Sequence, residues 1–252
     1  MELLIPDWPS LPPHIGALTT LRSGGYSQGV YAGSDGRGGL NLGSHVKDDA
    51  LHVQQNRALL GRILPTAPVW LSQVHGIRVL DVTGADPAVV PAADACLATR
   101  SGSICSILTA DCLPVLFCDA GGEVVAAAHA GWRGLADGVL ESTLAAMRRA
   151  GAQEISAWLG PAIGPQCFEV GMEVRQIFME RNPLHGAAFQ PLENRPGKYM
   201  ADIYALARRV LTGAGVRAIF GGDLCTVSDA QRFYSYRRDR DTGRMATLIW
   251  IK

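Results

Sequence analysis

The sequence predicts an α+β fold in which antiparallel strand pairs alternate with helices, and two observations carry that prediction. Near-continuous apolar runs, Ser103 to Asp119 and Glu123 to His129, flank Ala120-Gly121-Gly122, the pattern of a hairpin buried on both faces. From Gly134 the apolar period changes. Leu135, Val139, Leu140, Thr143, Leu144 and Met147 recur at helical spacing and stop before Gly151. Hairpins interleaved with helices favour α+β over a purely parallel sheet.

Taken in order, Leu40 to His45 read as a loop leading to Asp48 and Asp49, which suit a helix start. A helix near residues 49–63 follows, with Ala58, Leu59, Leu60 and Ile63 as its apolar stripe. Val69 to Val82, β-branched and apolar around Gln73, His75 and Arg78, reads as a strand. After the central hairpin and the helix from Leu135, a further helix is expected from Val170, Val174, Ile177 and Phe178. Ile203, Leu206, Ala207 and Val210 mark another, opened by Asp202 and closed by Gly213. Phe233 to Ile251, reversing around Asp241-Thr242-Gly243, reads as a final hairpin. No repeat or long polar linker divides the chain, so residues 1–252 are expected to form one domain.

Composition narrows the function classes. Lys plus Arg number 23 against 23 Asp plus Glu, so no whole-molecule attraction for phosphate backbones or anionic lipid exists, and neither nucleic-acid nor membrane binding is expected. No apolar run approaches the roughly 20 residues that span a bilayer, and Met1 to Pro13 carry no basic leader segment. A cytoplasmic monomer is the expectation. The six cysteines, Cys96, Cys105, Cys112, Cys118, Cys167 and Cys225, include no C-x-x-C pair, which argues against disulfide staples and a zinc knuckle.

The central hairpin brings two reactive groups together. With Ala120-Gly121 as the loop, Cys112 lies directly opposite His129. With Gly121-Gly122 as the loop they become diagonal neighbours, still within side-chain reach on one face. Pro114 can shift that register through a bulge. A core histidine beside an inert buried thiol is one reading of the pair. Two features favour another: Asp111 places a charge inside an apolar run, and only small residues, Ala126 to Ala128 and Ala130-Gly131, surround His129. With His75 as a third donor, two imidazoles and a thiolate form a three-ligand zinc set with one open position, the pattern of catalytic zinc. Such a metal can activate water or hold a phosphate oxygen, so hydrolysis and phosphorolysis are both open.

Seven motifs occur in order. They are Thr20 to Ser27; Asn41-Leu42-Gly43; Ser72 to Gly76; Thr109-Ala110-Asp111-Cys112-Leu113-Pro114; His129-Ala130-Gly131-Trp132-Arg133-Gly134; Gly160 to Pro165 with Glu169-Val170-Gly171; and Tyr234 to Arg238 with Thr242-Gly243-Arg244. Together they resemble the bacterial multicopper polyphenol oxidoreductase or laccase-domain family, whose members are also described as purine nucleoside phosphorylases, adenosine deaminases and peptidoglycan editing factors. The resemblance covers nearly the whole chain. It implies a single-domain, four-layer αββα sandwich with mixed and antiparallel sheets. It also implies a zinc-dependent enzyme that cleaves purine nucleosides with phosphate and deaminates adenosine. By motif it carries the metal ligands and catalytic residues onto His75, Cys112 and His129, with Asp111 supporting them and Asn41 among the substrate contacts. Two departures affect loop shape: the glycine-rich Tyr31 to Gly39 segment, and Leu135 directly after the His129 to Gly134 motif.

Phosphorolysis needs an oriented anion near the metal. Arg133, at the entry to the helix beginning near Leu135, is one candidate; a structural pairing with Asp137 or Asp111 is the alternative. Arg22, in a flexible Ser23-Gly24-Gly25 loop, is the second, with a solvated turn arginine as its alternative. Trp132 reads as packing or as a stacking surface for a base, and Arg237 and Arg238 as a solvated edge strand. Three rival functions remain at this stage. Two histidines and a cysteine also match a blue-copper site, although a laccase needs a further histidine-built cluster that His14, His45, His52 and His185 are not spaced to form. Cys112 and His129 could act as a metal-free hydrolase. The third rival is a non-catalytic module that sequesters a cell-wall precursor.

Overall fold

The computed structural model describes residues 1–252. In chain order its elements are β1 (Leu3–Leu4), β2 (Ile15–Thr20), β3 (Ser23–Ser27), α1 (Ala50–Gly61), β4 (Val79–Asp81), β5 (Ala95–Ala98), β6 (Ile104–Thr109), β7 (Leu113–Asp119) and β8 (Val125–Ala130). The second half adds α2 (Trp132–Asp137), α3 (Val139–Arg149), β9 (Ile155–Leu159), β10 (Glu169–Gly171), α4 (Met172–Arg181), β11 (Phe189–Pro191), β12 (Lys198–Ala201), α5 (Ile203–Gly213), β13 (Ile219–Gly221), α6 (Tyr236–Asp239) and β14 (Met245–Ile251).

Two sheets stack face to face. One has the order β1-β2-β14-β6, the other β13-β9-β7-β8-β5-β4; a small third sheet runs β10-β12-β11. The larger sheet is mixed, because β13 and β4 pair in parallel with β9 and β5 while its other pairs are antiparallel. The period-2 alternation of β7 explains the layering. Leu113, Val115 and Phe117 face outward to Val139, Leu140, Leu144 and Met147 of α3 and Leu206 and Leu211 of α5. Leu116 and Cys118 face inward to Ile15, Cys105, Ile107 and Ile249 of the other sheet. On the far side of that sheet, Leu18, Ile104, Leu108 and Leu248 pack with Leu60 of α1 and with Trp70. The result is four layers, helix–sheet–sheet–helix, in agreement with the expected sandwich.

Several local expectations are corrected. The run from Ser103 to Asp119 is two strands in different sheets: β6 pairs with β14, β7 with β8 and β9, and the chain crosses between layers at Ala110-Asp111-Cys112. Asp111 adopts a φ of 92°, a left-handed conformation that ends the pleat. Pro114 pairs with His129 and Cys118 with Val125, so the hairpin turns at Gly121-Gly122 and Cys112 is the diagonal neighbour of His129. Val69 to Val82 is not one strand; only residues 79–81 form β4, and His75 lies in a bend with a φ of 61°. The helix from Leu135 begins at Trp132 and breaks at Gly138, whose φ of 103° closes α2 and opens α3.

In α1 the N-cap is Asp49, but the buried face is Val53, Asn56 and Leu60 rather than Ala58, Leu59 and Ile63. The buried Asn56 amide donates to Ser27 Oγ and to the carbonyls of Gly39 and Asn41, a partner set that a hydrophobicity stripe does not register. Val170 belongs to β10, ahead of α4. The final hairpin is absent: β14 pairs with β2 and β6, while Tyr236–Asp239 form one helical turn capped by Ser235. Arg237 and Arg238 therefore lie on a helix, not on an edge strand.

Candidate metal centre

The crossover at Asp111 delivers Cys112 to one end of the six-stranded sheet, where β8 carries His129 beside it. His75 comes from the bend before β4. The three donor atoms lie within 4.8 Å of one another, with Cys112 Sγ 3.8 Å from His75 Nε2. Tetrahedral zinc with one sulfur and two nitrogen ligands sets ligand–ligand separations of about 3.4–3.6 Å. Closing the triangle onto an ion therefore takes shifts of about an ångström or less. Gly131 makes the approach possible, since a Cβ there would lie 2.8 Å from His75 Cδ2 and 3.1 Å from Cys112 Sγ.

Asp94, fully buried at the start of β5, ties these segments together. Its carboxylate accepts the backbone N–H groups of Val74 (3.1 Å), His75 (2.9 Å) and Gly76 (2.8 Å), which holds the strained bend that presents His75. It also accepts Nδ1–H of His129 at 2.9 Å. That bond fixes the tautomer, so Nε2 of His129 is left to face the donor cluster. Asp94 was not among the residues expected at the site, although it carries the signal that singled out Asp111: a lone charge in a small, apolar run, here Ala92-Ala93-Asp94-Ala95.

Burial opposes ionisation of the Cys112 thiol, but the charge and hydrogen bond of His129, helped by His75, bring it down to about 6. Burial likewise disfavours the His129 cation, yet the Cys112 thiolate and Asp94 raise it to about 9. Without metal, the pair is a thiolate beside an imidazolium at neutral pH. A thiolate is the form that ligates metal.

The donors lie in a cleft of about 460 Å³. Apolar and aromatic walls come from Leu108, Ile163, Phe168, Trp132, Ile203 and Tyr236, and the cationic rim from Arg237, Arg240 and Arg244. His45 adds an imidazole that burial and the nearby Arg244 keep from protonating. Arg240 rests on the Tyr236 ring. Arg244 spends Nη1 on the carbonyls of Thr242 and Gly243. Arg237 donates to the Glu169 carbonyl and lies over Phe168. Asp111 also lines the cleft; its carboxylate accepts the Thr226 hydroxyl and the Arg237 backbone N–H, so it fastens α6 to the crossover.

The anion residues expected from sequence are not brought to this cleft. Arg22 donates to the carbonyls of Ala230 and Ala32 and packs over the Tyr234 ring, which makes it a structural pin. Arg133 is exposed and stacks on Trp132, 4.5 Å from its ring centroid, without an ion pair to Asp137 or Asp111. Asn41 is buried: its amide donates to Asp48 and its oxygen accepts the N–H groups of Gly43 and Arg244, so it reaches the cleft only through Arg244. The cationic groups at the site are instead Arg237, Arg240 and Arg244. Arg237 lies on a helical turn instead of the expected solvated strand because that turn is held by a distant carboxylate, Asp111, rather than by local pattern.

The family model described as multi-copper polyphenol oxidoreductase laccase matches residues 16–252. The chain belongs to this family. Among its relatives, a Pseudomonas aeruginosa protein named purine nucleoside phosphorylase is 51% identical, with 99% of this chain and 98% of that protein aligned. The Escherichia coli purine nucleoside phosphorylase YfiH is 49% identical, with 99% of each chain aligned. A solved Neisseria meningitidis structure superposes over the full length of both chains with a TM-score of 0.92 at 43% identity. YlmD from Geobacillus stearothermophilus gives 0.86 at 31% identity, covering 100% of this chain and 97% of its own. Family membership thus rests on the whole chain and not on the donor motifs alone.

Proposed function

We propose that this chain is a zinc-dependent purine nucleoside enzyme that cleaves adenosine- and inosine-type nucleosides with phosphate and also deaminates adenosine. The observation that carries the reading is the placement of three borderline-to-soft donors, His75, Cys112 and His129, in one cleft with aromatic walls and three arginines. The names of the relatives support the phosphorolytic half. The donor set, two imidazole nitrogens and a thiolate, fits zinc. Held there, zinc would supply Lewis-acid chemistry at its open coordination position.

The remaining steps belong to the protein. Asp94 holds the proton on His129 Nδ1 and so keeps Nε2 aimed into the donor set. Arg240 and Arg244, with the planar forks that match phosphate oxygens, bind the anion and point it at the ribose C1′ while the purine departs. Trp132, Phe168 and Tyr236 offer faces for the purine and keep water from the reacting bond.

The test is to incubate the zinc-loaded protein with adenosine, with and without phosphate. Adenine and ribose 1-phosphate are expected with phosphate, inosine without it, and both activities should vanish on chelation. Turnover of a phenol after copper loading, with neither nucleoside reaction present, would overturn this reading in favour of the oxidase. His14 and His185 bond instead to the carbonyls of Gly122 and Phe178, and His52 lies on α1, so they do not build a second histidine cluster.

A further inference from the structure

Behind the cleft wall, two cysteines outside the His75–Cys112–His129 cluster are held to the same glycine, Gly164. Cys225 follows Leu224, whose carbonyl is pinned by the buried Tyr204 hydroxyl, and it forms a parallel bridge with Ala162. Its sulfur accepts the N–H groups of Gly164 (3.2 Å) and Ser228 (3.5 Å). Gly164 is required for this approach, since a Cβ there would lie 3.0 Å from Cys225 Sγ. The turn after Gly164 then folds back, Cys167 N–H donating to the Gly164 carbonyl, and brings Cys167 beside Cys225, whose sulfur the Gly164 N–H already holds. Both residues are half-buried, and Cys225 borders an open surface groove of about 560 Å³ with Ser228 and Asp229.

We propose that Cys167 and Cys225 form a dithiol that reduces a small peroxide and closes into a disulfide. Two N–H donors at Cys225 stabilise its thiolate, which makes it the attacking sulfur. Burial acts against ionisation at both thiols; at Cys225 hydrogen bonds from Ser228 and Gly164 prevail and lower the pKa, whereas Cys167 is raised. The Cys225 thiolate attacks the terminal peroxide oxygen, the O–O bond breaks, and the alkoxide or hydroxide takes a proton and leaves as alcohol or water. The Cys225 sulfenic acid formed is then attacked by Cys167. The S–S bond forms, the S–O bond breaks, and hydroxide departs as water with the Cys167 proton, so two thiols have given two electrons to one peroxide.

The bond would connect two parts of the nucleoside cleft. Cys167 precedes Phe168, a wall residue, and Cys225 precedes Thr226, whose hydroxyl holds Asp111 at 2.6 Å. Closure therefore joins the Phe168 wall to the support of the crossover.

The test uses the full chain, zinc-loaded so that Cys112 is occupied, exposed to hydrogen peroxide and then alkylated and digested. A peptide pair linked through Cys167 and Cys225 is expected, reversed by dithiothreitol. Cys167→Ser keeps the attacking sulfur and should leave Cys225 trapped as a sulfenic acid that reacts with dimedone; Cys225→Ser should abolish both products. Circular dichroism on each variant confirms that the fold persists. Absence of the linked pair from the peroxide-treated wild type would overturn the proposal, as would dimedone labelling of Cys167→Ser at every cysteine except Cys225.

Discussion

Cys112 illustrates how one side chain answers to its neighbours. Beside His129 its thiol lies near 6 rather than the ordinary value of 9.0, whereas burial beside Asp119 pushes Cys118 up to about 12. In metal-free protein, iodoacetamide should therefore modify Cys112 first, with a rate that rises through about pH 6 and is flat above it; an ordinary thiol would keep accelerating toward pH 9. Zinc should protect Cys112, and a rate indifferent to zinc would remove this residue from the metal set. Cys112→Ser should lose bound zinc and nucleoside turnover together, as read by elemental analysis and product chromatography. Asp94→Asn should weaken zinc binding about 10–100-fold, because the tautomer lock on His129 and the charge that holds the His75 bend both go. Unchanged affinity in a chelator competition would assign Asp94 to folding alone.

At the scale of elements, the crossover between β6 and β7 decides where the chemistry lies. Thr226→Val removes one of the two contacts that hold the Asp111 carboxylate, while the Arg237 N–H contact remains. The loss of a buried hydrogen bond to a charged group should cost about 1.5–3 kcal/mol of unfolding free energy in urea. It should also loosen α6, so the KM for phosphate rises more than kcat falls. Equal changes in both would mean that the crossover does not position the arginines. Most of the site was legible in the sequence: the apolar hairpin placed Cys112 near His129 under either register, and the motifs supplied His75. Asp94 and the three arginines escaped because their roles depend on partners distant in the chain, as Asp111 holds Arg237 from 126 residues away. The helices of α3 and α5 were legible because their apolar stripes are strong. The strand read through His75 was not, because the carboxylate of Asp94, 19 residues on and just before β5, imposes its bend.

For the whole molecule, the four layers make the His75–Cys112–His129 cluster a property of the completed fold, since its donors come from segments that meet only once the six-stranded sheet is assembled. Zinc at about 1,000 times its Kd should add about 4 kcal/mol of stability, seen as a higher Tm that chelator reverses. A Tm indifferent to zinc would mean that the donors do not bind it in the native state. The four-stranded sheet carries a different consequence. Thr19 and Thr247 touch across β2 and β14, 228 residues apart, and β14 also fills the gap to β6. At translation rates of about 5–20 residues per second, β2 waits roughly 10–45 s for its neighbour. β2 presents an unsatisfied edge throughout that interval, and β6 does so from its own synthesis onward; such edges are the surface on which nascent chains aggregate. A growing polypeptide of this kind stays open to association until β14 emerges, and slowing the ribosome should lower soluble yield rather than raise it.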